Sequence, residues 1–148
     1  GNHEYYISNY KEKIASLNKF NLNILNNTNS IFEEINIIGI DDNIDNNKKN
    51  NFVNNFLDNS KLNLLLIHKP SLWNNVKGRI DLMFSGHTHN GQIFPFNFFV
   101  RLQFKQKYGL YSSDKSNLYV TSGAACWGPR MRLGTNNEII YINLLNKN

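Results

Sequence analysis

The 148 residues suffice for one domain with a real core, and an apolar share of 41% with 13% aromatics excludes a disordered chain. A formal charge of +5 favours an anionic ligand, yet the Lys and Arg are scattered, without the basic runs and interleaved aromatics of an RNA-binding surface. Nucleic acid is therefore not an expected partner; the single cysteine, Cys126, precludes an internal disulfide, and no apolar stretch approaches the roughly 18 residues of a membrane span.

In chain order, EYYISNYKEKIASLNKF (residues 4–20) carries apolar residues at 6, 7, 10, 14 and 17 without Pro or Gly, which predicts a helix over about 7–18. SIFEEINIIGIDD predicts one or two strands, the clearest over 35–40. The Asn-rich run DDNIDNNKKNN (41–51) reads as tolerant surface sequence rather than a prion-like segment, because apolar blocks interrupt the asparagines throughout. NNFVNNFLDNS predicts a short helix around 52–57. KLNLLLIHKP and RIDLMFSG are near-continuous apolar runs that suit strands buried on both faces. SLWNNVKG between them predicts a brief helix closed by glycine. IFPFNFFV (93–100) is either core or a partly exposed apolar lip. NLYVTSGA and EIIYINLL are strand-like. The order predicts one α/β domain spanning 1–148, its sheet gaining antiparallel strands towards the C-terminus.

The four histidines fall at 3, 68, 87 and 89, in GNHE, LLLIHKP and SGHTHNG. Each setting places a His in a turn beside an apolar run, and exits of this kind are where α/β sheets assemble ligand sites. Neutral imidazoles with an Asn oxygen suit borderline divalent ions such as Zn, Mn or Fe, whereas a Ca site would draw several carboxylates. The spacing of His87 and His89 fits two ions about 3.5–4 Å apart.

GNHEYY (1–6), LLLIHKP (64–70) and SGHTHNGQI (85–93) resemble, in order, the later motifs of calcineurin-like metallophosphoesterases. The tail YGLYSSDKSNLYVTSGAACWGPRMRLGTNNEIIYINL resembles the branch of membrane-associated bacterial phosphoesterases whose histidine motif reads GHTHGGQ. The resemblance implies a layered αββα-type fold and two divalent ions. It implies Asn2, His68 and His87 on one ion and His89 on the other. His3 would contact the phosphate and stabilise the leaving oxygen as general acid, with Glu4 supporting that turn. Arg130 and Arg132 are candidates for gripping a substrate anion, against the alternative of surface or structural arginines, and Trp127 shapes a tight loop with Gly128 and Pro129 or, alternatively, stacks on the substrate. The implied substrate is a small-molecule or lipid-linked phosphate ester. The implied location is membrane-associated or cytoplasmic, any membrane contact being made through sequence upstream of Gly1.

Two departures from the pattern stand out. Asn90 occupies a usual Gly, a position Asn can take because it tolerates positive φ. The family's upstream Asp-x-His and Gly-Asp-x-x-Asp or -Asn motifs do not occur, and the chain opens inside GNHE. The expectation is a C-terminal part of the fold that lacks its N-terminal strands and is inactive by itself. Two other classes compete: a non-catalytic anion- or nucleic-acid-binding module, and a mononuclear zinc protein, the latter weakened by a single cysteine.

Overall fold

The computed structural model describes residues 1–145. Its frame is a six-stranded sheet in the order β1-β2-β3-β4-β6-β5. The strands are β1 (Thr28–Phe32), β2 (Ile35–Ile40), β3 (Leu62–Ile67), β4 (Leu82–Ser85), β5 (Gly109–Ser113) and β6 (Ser116–Val120). Strands β2, β3, β4 and β6 run parallel, and β1 and β5 join antiparallel as hairpin partners at the two edges. The α/β class and the antiparallel addition near the C-terminus match the sequence reading.

The helices are α1 (Tyr10–Ser16), α2 (Asn46–Phe56), α3 (Trp73–Val76) and α4 (Phe96–Gln103). The expected helix over 7–18 is split into a 3-10 turn at Asn2–Tyr6, α1, and a second 3-10 turn at Leu17–Phe20, and none of the residues of α1 is buried. Helix α2 begins well before the expected start. Asp45 caps it by accepting a 2.9 Å hydrogen bond from the Lys48 amide, so the Asn-rich run becomes its first turns. No helix among the described residues is long and apolar enough to cross a membrane.

Alternation along the strands sends Ile38, Ile40, Leu65, Ile67, Met83, Leu118 and Val120 to one face, where Val53 of α2 and Leu72, Trp73 and Val76 around α3 cover them. Each such side chain contributes roughly 1.5–3 kcal/mol when fully buried. The opposite face departs from the expectation of strands buried on both sides. There Leu64, Leu82 and Phe84 are only half-buried and Leu66 is exposed, because no regular helix among the described residues packs over them.

Two asparagines inside the strands are buried as well. Asn36 and Asn63 are buried in adjacent strands. Asn36 Nδ2 donates to Asn63 Oδ1 at 2.8 Å and to the Phe56 carbonyl at 2.7 Å, while its Oδ1 accepts from Asn29 at 2.8 Å. The satisfied amides tie the β1–β2 hairpin and the end of α2 to β3, where an unpaired buried amide would be costly.

The expected strand over EIIYINLL is absent: residues 138–145 run irregularly, with Ile139 and Tyr141 almost fully exposed. Strand propensity reports fit to a paired, half-buried surface, and among the described residues this segment has no strand partner.

Candidate metal centre

Parallel β3 and β4 are neighbours, so the turns that follow them lie side by side. The Gly86 amide donates to the His68 carbonyl at 2.9 Å, locking the two exits together. The imidazoles they carry meet: His87 Nδ1 lies 3.1 Å from His68 Nε2, with ring centroids 5.0 Å apart and planes at 76°. Phe104 backs His87 edge-on at 5.4 Å.

The loop after β4 holds an unusual backbone. His87, His89, Asn90 and Gln92 all have positive φ, at 68°, 48°, 53° and 44°. Left-handed conformation costs roughly 1–2 kcal/mol for an ordinary residue, and such strain collects at functional sites. Asn90 accepts the geometry for the reason anticipated from its chemistry. Gly91 is required twice over, by its φ of 80° and because a Cβ there would collide with Asn97 at the start of α4.

Three supports hold this loop. Thr88 Oγ1 donates to the Lys107 carbonyl at 2.6 Å. The buried Gln92 side chain donates from Nε2 to the Trp127 carbonyl at 2.7 Å and accepts the Trp127 amide on Oε1 at 2.6 Å. The Arg132 guanidinium donates to the carbonyls of His89 at 3.0 Å, Ser122 at 2.7 Å and Ala125 at 2.6 Å. Arg132 is therefore spent on carbonyls and acts as a clamp rather than an open anion grip, its one unpaired donor, Nε, being buried. Arg130 is exposed on the neighbouring loop. Gln92 escaped the sequence reading, although its place directly after the histidine loop was a usable signal. Replacing Gln92 by Ala is expected to leave the Trp127 amide unpaired, destabilise the fold by about 1–3 kcal/mol, and shift the emission of Trp127; unchanged unfolding and emission would contradict the clamp.

Burial disfavours the charged forms of His68, His87 and His89. Burial pushes the His68 imidazole down to about 4. Burial also lowers His87, with Lys69 adding to it, and lowers His89, with Arg132 adding to it. Unprotonated imidazoles offer the lone pairs that a divalent ion needs.

His3, His68, His87 and His89 line one cavity of about 360 Å³, whose remaining wall includes Phe96, Phe99, Phe104 and Trp127. The His3 ring stands 6.2 Å from Trp127. Gly1 is packed against the His68 ring, which brings Asn2 to the same sheet edge. Asn2 Oδ1, Ser85 Oγ and His89 Nδ1 are buried without a hydrogen-bond partner. Unpaired buried polar atoms are rare, and a bound cation would satisfy an Asn oxygen or an unprotonated imidazole nitrogen. Among the described residues no group of three or more His, Cys, Asp and Glu is gathered tightly enough to hold an ion unaided. The donor set therefore fits a metal as a partial one.

Next to it lies a feature with no sequence signal. Asp42, at the end of β2, is buried between Lys49 of α2, with Nζ 3.5 Å from Oδ1, and Lys69, with Nζ 3.0 Å from Oδ2. Lys69 directly follows His68, so the carboxylate anchors the turn that carries this imidazole.

Parallel β3 and β4 thus deliver the imidazoles of His68 and His87 to one end of the sheet, where they form a candidate metal site. The chain is 40% identical over 156 residues to an uncharacterized metallophosphoesterase of Campylobacter jejuni, covering 99% of this chain and 41% of that protein. It is 38% identical to an uncharacterized metallophosphoesterase of Helicobacter pylori, covering 100% of this chain and 42% of the relative. It is 32% identical to a transmembrane protein with metallophosphoesterase domain of Bos taurus, covering 97% of this chain and 37% of the relative. These relatives support placement in the metallophosphoesterase family, and the chain spans about two fifths of the length of the first two. No family model matches it, and no solved structure matches it.

Proposed function

We propose that this chain carries the later metal-binding motifs of a metallophosphoesterase that hydrolyses phosphate mono- or diesters, its remaining ligands coming from residues outside the chain. The observation that carries the reading is the meeting of the His68 and His87 nitrogens at 3.1 Å, in a cavity that also takes His3 and His89. The names of the relatives support it.

Asn2, His68 and His87 would hold one divalent ion (Mn, Fe or Zn) and His89 a second. When bound, the ions would polarise the phosphoryl oxygens and acidify water for an in-line displacement. The chain's own residues supply the rest. His3, at the cavity wall beside Trp127, would hydrogen-bond the leaving oxygen and give it a proton. Phe96, Phe99 and Trp127 give one side of the cavity an apolar wall that would favour an ester with an apolar or flat group, small or lipid-linked. Arg132 and Gln92 hold the His89 loop against the Trp127 loop and thereby set the width of the cavity. The relatives named as transmembrane proteins support a membrane-associated location for the whole protein.

Residues 1–148 alone are expected to hydrolyse bis-p-nitrophenyl phosphate in Mn²⁺ no faster than their His87→Ala version, while the complete protein hydrolyses it in a metal-dependent way. Robust hydrolysis by residues 1–148 alone, or hydrolysis by the complete protein that survives chelation, would contradict the reading.

A further inference from the structure

An amphipathic surface helix turns its apolar stripe to the core. Helix α4, FNFFVRLQ, does not. Its Asn97 abuts Gly91, and Phe96, Phe99 and Val100 border the histidine cavity, yet no residue of the helix is buried. Phe96, Phe98 and Phe99 are 62%, 61% and 60% exposed, Leu102 is 71% exposed, and Phe94 on the lead-in is 63% exposed. Phe98 and Leu102 stand four residues apart, the spacing of one helix face.

The patch continues onto the loop clamped by Gln92 and Arg132. The Phe94 amide donates to the Leu133 carbonyl at 2.9 Å, setting exposed Leu133 beside Phe94, with exposed Trp127 and Met131 on the same loop. The stretches of chain that build this surface are basic. No Asp or Glu stands between Asp81 and Asp114, nor between Asp114 and Glu138, whereas Arg101, Lys105, Lys107 and Arg130 all fall in those stretches.

We propose that this face, α4 with the Trp127–Leu133 loop, docks on an anionic lipid bilayer, the helix lying in the interface and the mouth of the histidine cavity turned towards the lipid. Large exposed apolar patches mark interaction sites. A short helix with aromatic and Leu side chains, flanked by cations and free of acids, suits a membrane surface. Its apolar side enters roughly 5–10 Å, and Arg and Lys reach back to the lipid phosphates. A protein partner would more usually be met by both signs of charge around an apolar centre. The inference stands on this surface alone and does not depend on hydrolysis.

The complete protein, in a Cys126→Ser background, is labelled with an environment-sensitive fluorophore at Phe98→Cys, at Leu102→Cys, and at Asn47→Cys on α2 as control. Vesicles of phosphatidylcholine with phosphatidylglycerol are expected to shift emission to the blue at 98 and 102 but not at 47, with quenching by brominated acyl chains. Emission unchanged by vesicles at both sites would overturn the proposal. So would labels at 98 and 102 already shielded before lipid is added, which would show that another segment or a second copy covers the face. An equal response to pure phosphatidylcholine would overturn the anionic assignment.

Discussion

Replacing His87 by alanine in the complete protein is expected to lower metal-dependent phosphodiester hydrolysis by more than about 100-fold, above the usual range for losing a group that only supports a ligand. His87 Nδ1 faces His68 Nε2 at 3.1 Å, so its removal takes away one of the two nitrogens that define the site. The side chain lies outside the buried apolar cluster, and Phe104 beside it is itself half-buried. The fold should therefore survive, which a thermal unfolding curve on the same sample checks. A variant with the native rate would remove His87 from the site.

The largest effect on stability is expected at Asp42. Its carboxylate lies between two ammonium groups, and the Lys49 side chain is only 6% exposed. Asp42→Ala would leave Lys49 buried without a counter-charge, at a destabilisation of about 3–5 kcal/mol. Lys49→Met, which keeps volume and removes the charge, should cost far less. Burial alone would raise the Asp42 carboxyl, but the hydrogen bond from Lys69 and the charge of Lys49 outweigh it and hold it below the ordinary carboxylate range. A lowered folded value means the triad's contribution is complete above the ordinary carboxylate range and is lost as pH falls through the folded one. Urea unfolding at neutral and acid pH should thus show the gap between the native protein and Asp42→Ala shrinking towards acid. A constant gap, or none, would contradict this account of the triad.

What the sequence made legible follows from the range of each signal. Strands β2, β3, β4 and β6 and the histidine turns were readable because apolar runs and turn residues are local patterns, and parallel pairing of β3 with β4 then forces His68 and His87 together. The start of α2 was hidden because its first turns are polar, with the signal confined to the Asp45 cap. Asp42 and Lys49 sit in a run that reads as surface, and Asn36 and Asn63 are polar residues inside apolar runs; only tertiary partners such as Lys69 and Phe56 account for their burial. EIIYINLL carried strand chemistry without a strand to pair with. Arg132 matched anion-binding chemistry, and only coordinates could show that its donors are already committed to the carbonyls of His89, Ser122 and Ala125.

The central claim is that the imidazoles of separate turns share divalent cations, and pulsed electron paramagnetic resonance of the complete protein loaded with Mn²⁺ tests it most directly. Modulation from imidazole nitrogen is expected in the native protein and should weaken in His87→Ala. Mn²⁺ ligated by oxygen alone, or a nitrogen signal indifferent to that substitution, would contradict it.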